Sequence, residues 1–276
     1  MRTAVIILTE ELRRLKAAGV KSVAVSEQGL AALRAAAQGR DGRLARPNSA
    51  TPFPPPPVVV LPAGDKAARW AALRDLVLDD PICRARVRPG KKVVLGVGSL
   101  DARIMFVGEA PGADEEMQGE PFVGPAGKLL DRMIGGMGIK RGDVYIGNIM
   151  NWRPEMPVGA DGVQYGNRPP TEDEMTYCLP YLRAQIEIVN PDILVALGNT
   201  AAQGLLGFGA FRALGEVRGR WRDFSGKPLM VTYHPSYILR NRSNQAKRMI
   251  WEDLLKVMER AGLPISEKQR SYFLEP

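Results

Sequence analysis

The stretch Arg103-Ile-Met-Phe-Val-Gly-Glu-Ala-Pro-Gly112 decides how the chain folds, because a short apolar run passes directly into a turn holding two glycines and a proline. A run this short, bounded by turn residues, reads as a buried strand. The pattern returns at VYIGNI (144–149), DILVAL (192–197) and PLMVTY (228–233). Helical segments lie between the runs: GKLLDRMIGGM, TEDEMTYCLPYLRAQIEIV and NTAAQGLLG. Buried strands alternating with helices predict an α/β fold, three layers (α/β/α) around a central four-stranded, mostly parallel sheet. Such folds place their sites at the carboxyl ends of strands. Here those ends are GEAPG, Asn148, LGNT and His234, which are expected to meet on one rim.

Upstream, residues 1–45 read as a small helical extension. EELRRLKAAGV spaces its apolar residues helically, and Ser26 suits the cap of a second helix over EQGLAALRAAA. In RPNSATPFPPPPVVVLP, four consecutive prolines predict an extended linker over 46–64. DKAARWAALRDLVLD then predicts a helix over 65–79 that opens the main domain, 65–276.

Lys and Arg number 38 against 30 Asp and Glu, a net charge of +8 that suits a polyanionic partner or simply a basic soluble protein. No apolar run approaches the roughly 18 residues of a membrane span. The opening MRTAVIILTEELRR has an apolar patch followed at once by acids and no small-residue cleavage site, so a cytoplasmic address is expected. Two cysteines, Cys83 and Cys178, fit a reducing compartment. Neither GxGxxG nor GxxxxGK[ST] occurs, which counts against nucleotide hydrolysis.

Each candidate site residue also has an ordinary reading. Glu109 at the turn tip is a base, an electrostatic group or a solvated carboxylate. Phe122 offers a planar surface, although aromatics usually pack in cores. Asn148 alone would be a strand-end turn residue. Asp114-Glu-Glu116 is an ordinary acidic helix start. His234 is the only histidine in 276 residues, and a lone histidine is more often a packing residue than a catalyst.

From roughly Gly96 to Arg260 the chain closely resembles a family 4 uracil-DNA glycosylase. The resemblance rests on GEAPG, QGEPFVGPAGKLLDRM, YIGN, GNRPPT with YCLPYLRAQIE, LGNTAA, RGRW and TYHPSYILR; it does not extend to residues 1–80. It implies a monomeric DNA-repair enzyme of base excision. Such an enzyme flips uracil out of single- or double-stranded DNA and hydrolyses its N-glycosidic bond, leaving an abasic site. On the same basis His234 hydrogen-bonds the uracil O2, Glu109 positions or activates water, Phe122 stacks on the base, and Asn148 reads its edge. Gly108 and Ala110 are expected at the uracil site; Ala110 stands where another glycosylase family has a catalytic Asp. Pro235, Ser236, Tyr237, Leu239 and Arg240 are expected to meet DNA, with Tyr237, Ile238 and Leu239 filling the vacated stack. Arg218, Arg220, Arg242, Lys247 and Arg248 join Arg240 as phosphate contacts or form a solvated face.

Two departures stand out. The family holds a [4Fe-4S] cluster on four cysteines. Cys178 matches the last and Cys83 falls near the first pair, but Arg86 stands three residues on and Trp152 occupies the third position. Two cysteines cannot supply four thiolates, so no cluster and no other cofactor is expected, with Trp152 filling the space. Residues 155–166 form a Gly-rich insertion without a histidine, so no covalent histidine chemistry is expected there. Two rival readings are a glycosylase for another deaminated base such as hypoxanthine, and a protein that binds uracil or abasic DNA without turnover.

Overall fold

The structure, a computed structural model, describes residues 53–159 and 161–274. The predicted helical extension over 1–45 and the first part of the linker lie outside the described residues. Within the described chain, α1 (Lys66–Asp79) starts at Asp65, whose side chain accepts from the Ala68 N–H. The helix α2 (Pro81–Ala85) follows, then β1 (Val97–Gly98), β2 (Ile104–Gly108), α3 (Ala113–Gln118), α4 (Pro125–Gly136) and β3 (Tyr145–Asn148). Next come α5 (Glu172–Val189), β4 (Ile193–Leu197), α6 (Asn199–Leu206), β5 (Trp221–Phe224) and β6 (Lys227–Thr232). The chain closes with α7 (Pro235–Arg240), α8 (Asn244–Arg260) and α9 (Glu267–Arg270).

The sheet has six strands, in the order β1-β3-β2-β4-β6-β5, which corrects the expected four. The four predicted runs form its parallel centre. Strands β1 and β5 add antiparallel edges. Neither edge carries an apolar run: β1 is two residues long, and Arg222 and Asp223 in the middle of β5 are exposed.

Alternate residues of the central strands feed two cores, as period-two side chains must. Met105, Val107, Leu194, Ala196, Leu229 and Val231 pack towards α1, α5 and α6. Ile104, Phe106, Ile193, Val195 and Met230 pack on the other face towards α4 and α8. The sheet is therefore covered on both sides. Phe53, Val59 and Leu61 of the proline-rich stretch lie against the first core. No helix among the described residues is long and apolar enough to cross a membrane.

Candidate active site

Because β2, β3, β4 and β6 run parallel, their carboxyl ends share one edge, and a cavity of about 690 Å³ opens there. Glu109, Ala110, Phe122, Asn148 and His234 all line it. Gly108 and Asn148 pair in register at the ends of β2 and β3. A Cβ on Gly108 would stand 2.4 Å from Asn148 Oδ1 and 2.5 Å from the Phe122 ring, so only glycine lets the three meet. The Asn148 side chain is buried, and its Oδ1 has no hydrogen-bond partner among the described residues.

Phe122 sits at φ +55, a conformation that costs a non-glycine residue about 1 kcal/mol or more. Its loop is clamped from both sides. Glu115 Oε1 accepts from the N–H groups of Val123 and Gly124, each at 3.0 Å. Arg141, paired with Asp131, donates to the carbonyls of Pro121 and Phe122. The acidic start of α3 is thus more than a complement to the helix dipole, since Glu115 fixes the aromatic wall.

His234 ends the fourth arm. Its ring centroid is 5.5 Å from that of Phe122, with 32° between the planes. Gly198, at φ +92, approaches it from the end of β4; an added Cβ would lie 3.0 Å from the His234 Cβ. His234 also caps α7, accepting the Ser236 N–H on Nδ1 at 3.2 Å. Burial, with the Arg240 guanidinium nearby, pushes its pKa down to about 4. The ring is neutral at physiological pH. With Nδ1 occupied as an acceptor, its proton resides on Nε2.

Glu109 is a mostly buried carboxylate. Burial raises its pKa, while a hydrogen bond from Thr200 Oγ1 and the charge of Arg240 pull it back. Thr200 stands in the first turn of α6, directly after β4. Sequence reasoning missed both Thr200 and Glu115; LGNT marked a strand end without revealing which hydroxyl meets Glu109.

The stretch after His234 is helix α7, not a loop, because Pro235 suits N1 and the His234 side chain caps the helix. That geometry sorts the residues expected to meet DNA. Pro235 and Ile238 are buried in the fold, so neither is available to a partner. Ser236, Tyr237, Leu239 and Arg240 line the cavity, and Tyr237 stacks on Tyr233 at 4.4 Å between centroids. Among the expected phosphate contacts, Arg220, Arg240 and Arg242 are exposed. Arg218 is committed to buried Asp253, and Arg248 to Glu252 and the carbonyls of Arg270 and Tyr272.

The insertion has both feet at the cavity, whose lining includes Pro154 and Asn167. Arg153 anchors it, bonding Glu116 at 2.8 Å and the carbonyls of Gln164 and Gly166. Gln164 closes the loop by bonding the Pro154 carbonyl and the Met156 N–H. Tyr165 at the far side is 67% exposed.

The positions matched to the family's cluster ligands are packed with other groups. Cys83, Cys178 and Trp152 are fully buried, and burial pushes both thiols well above the ordinary thiol range, so they are protonated. Asp80, three residues before Cys83, accepts from the Cys83 N–H at 2.6 Å and from Tyr177 and Tyr181 hydroxyls at 2.8 Å each. Sequence reading looked three residues after Cys83 and missed it. Among the described residues no group of three or more His, Cys, Asp or Glu is placed to hold a metal ion. Two thiols, a carboxylate spoken for by three donors and an indole do not supply the four thiolates of such a cluster.

Residues 95–255 match the family model described as the uracil DNA glycosylase superfamily. A type-4 uracil-DNA glycosylase of Thermotoga maritima is 47% identical over 165 residues, covering 59% of this chain and 80% of the relative. One from Archaeoglobus fulgidus is 41% identical over 152 residues, 53% of this chain and 71% of the relative. A type-5 uracil-DNA glycosylase of Pyrobaculum aerophilum is 29% identical over 180 residues, 60% and 73% of the two chains.

Proposed function

The chain belongs to the uracil DNA glycosylase superfamily, and from that premise we propose that it excises uracil from DNA, using the cavity at the strand ends as its base pocket. The observation that carries this reading is the meeting of Glu109, Phe122, Asn148 and a neutral His234 on one cavity. Uracil enters flipped from the stack. Phe122 provides the face on which the ring lies. Asn148 presents an amide to the imide edge, and its unpartnered Oδ1 is an acceptor suited to an imide N–H.

When the glycosidic bond breaks, its electron pair leaves with uracil N1 and spreads to O2, while the sugar C1′ becomes cationic. The Nε2–H of His234 donates to O2 without adding a proton, so the developing anion is met by a fixed dipole. Ionised Glu109 faces the sugar cation and orients a water. The water oxygen bonds C1′, and its proton passes to the carboxylate. The departing uracil anion takes a proton from solvent.

The donor set around Cys83 and Cys178 supports a chain that folds and acts without an iron–sulfur cluster. Two cysteines and a reading as a DNA-repair enzyme suit a monomer in the reducing cytoplasm. The test is incubation with EDTA on single- and double-stranded oligonucleotides carrying one uracil or one hypoxanthine. Alkali-labile breaks at uracil are expected. Breaks only at hypoxanthine, or a gel shift without breaks, would overturn the reading.

A further inference from the structure

A second cleft, of about 500 Å³, opens between α4, α8 and the C-terminal segment, and shares Leu239 with the active-site cavity. Its apolar lining includes Met133, Trp251, Tyr272 and Phe273. Arg132, Arg242 and Lys247 also line it, and no carboxylate among the described residues does. The aromatic wall is held in place. Trp251 Nε1 donates to the Gln269 carbonyl at 2.6 Å, Gln269 Nε2 donates to the Gly136 carbonyl at 2.8 Å, and Arg248 donates to the Tyr272 carbonyl at 2.9 Å. Phe273 is 41% exposed, sits at φ +61, and has Lys247 Nζ 5.8 Å from its ring centroid.

We propose that this cleft holds an unpaired nucleotide of the same DNA strand, beside the one extruded into the active site; the proposal rests on the glycosylase reading. A flat face next to free cations is what a single-stranded nucleotide requires: the base stacks on the aromatic ring and the phosphate meets the guanidinium and ammonium groups. Leu239 lines both chambers, so one strand can pass from the first to the second. An apolar protein segment would suit the floor but would offer nothing to the three cations.

The test uses the full chain and two single-stranded probes: a long one of eleven nucleotides with a central 2′-fluoro-2′-deoxyuridine, whose fluorine disfavours the sugar cation, and a short one that is 2′-fluoro-2′-deoxyuridine 5′-monophosphate alone, with no neighbouring nucleotide. Two variants are compared with wild type, Phe273→Ala and the double variant Arg242→Gln with Lys247→Gln. Both should weaken binding of the long probe about tenfold, within the range of one base–aromatic stack, and leave the short probe unchanged. The double variant should also flatten the salt dependence, by about 0.7 in log–log slope for each lost cation. Unchanged affinity for the long probe, or equal weakening of both probes, overturns the proposal. Uracil release from the unmodified long strand by wild type is scored alongside. Its absence overturns the glycosylase reading itself, whereas cleavage without any variant effect overturns only the cleft.

Discussion

The backbone N–H of Ser236 donates to Nδ1 of His234 at 3.2 Å, so the neutral imidazole keeps its proton on Nε2. One residue of helix α7 thus sets the tautomer of the only histidine in the chain. The Ser236 Oγ lies 2.9 Å from the same Nδ1 and accepts from Arg240 at 3.2 Å, which frees its own proton for the imidazole. His234→Ala removes the donor to the leaving base. Cleavage should slow by about 10²–10³-fold, the scale for losing one such group, with DNA affinity little changed. Single-turnover rates on a uracil oligonucleotide check this, and a near-normal rate would contradict the assigned role.

Acid should inhibit in two stages. Burial raises the pKa of Glu109, whereas that of His234 is pushed down to about 4, so the carboxylate takes up its proton first as pH falls. The acid limb of kcat/KM should therefore lie above the ordinary carboxylate range, and the rate should be flat across neutral pH. A limb at or below pH 4 would show that Glu109 is not the group being titrated.

Thr200→Val removes the hydroxyl that favours the charged form of Glu109. The acid limb should move to higher pH, lowering the rate several-fold on the acid side and little on the alkaline side, while Thr200→Ser restores the wild-type profile. The linkage has a definite sign. A carboxyl whose folded pKa is raised favours the fold while protonated and loses that advantage as pH rises through the folded value. The variant should therefore be more destabilised at pH 8 than at pH 5, as thermal melts at the two pH values would show.

These relationships mark the boundary of what periodicity reveals. Strands β2, β3, β4 and β6 were legible because each is a buried apolar run closed by a turn. The edges β1 and β5 were not, since pairing with a neighbour defines them and their side chains remain partly wet. The four pocket residues were legible as strand ends and motif matches. Their supports were hidden by distance along the chain: Thr200 stands 91 residues from Glu109, and Asp253 stands 35 from Arg218. Arg218 illustrates the consequence, because a basic residue expected to meet phosphate or solvent proved to brace β6 through Asp253, which also accepts from Thr232.

Asn148→Asp exchanges an amide donor for a charge at a buried position beside Glu109. Uracil release should slow, and discrimination against cytosine should relax, because the carboxylate can no longer offer an N–H to the uracil edge but can accept from the cytosine amino group. Competition assays with uracil- and cytosine-bearing strands measure both effects. Unchanged selectivity would remove Asn148 from the base-reading role.

Asp80 ties the start of α2 to α5 by hydrogen bonds. Burial opposes its charge, yet the Cys83 N–H and the hydroxyls of Tyr177 and Tyr181 overcome that and hold its carboxyl below the ordinary range. Its contribution is present above the unfolded pKa and is lost as pH falls through the lower folded value. Asp80→Ala leaves two buried phenols and one N–H without their acceptor, which should cost about 2–4 kcal/mol of stability. Asp80→Asn, which keeps an acceptor oxygen, should cost less. Below the melting temperature, Asp80→Ala should cleave uracil DNA at nearly the wild-type rate. The wild-type protein itself should be colourless and free of iron by elemental analysis, with a melting temperature unmoved by chelators. Brown protein, stoichiometric iron or an Asp80→Ala variant as stable as wild type would show that something other than this carboxylate holds α2 against α5.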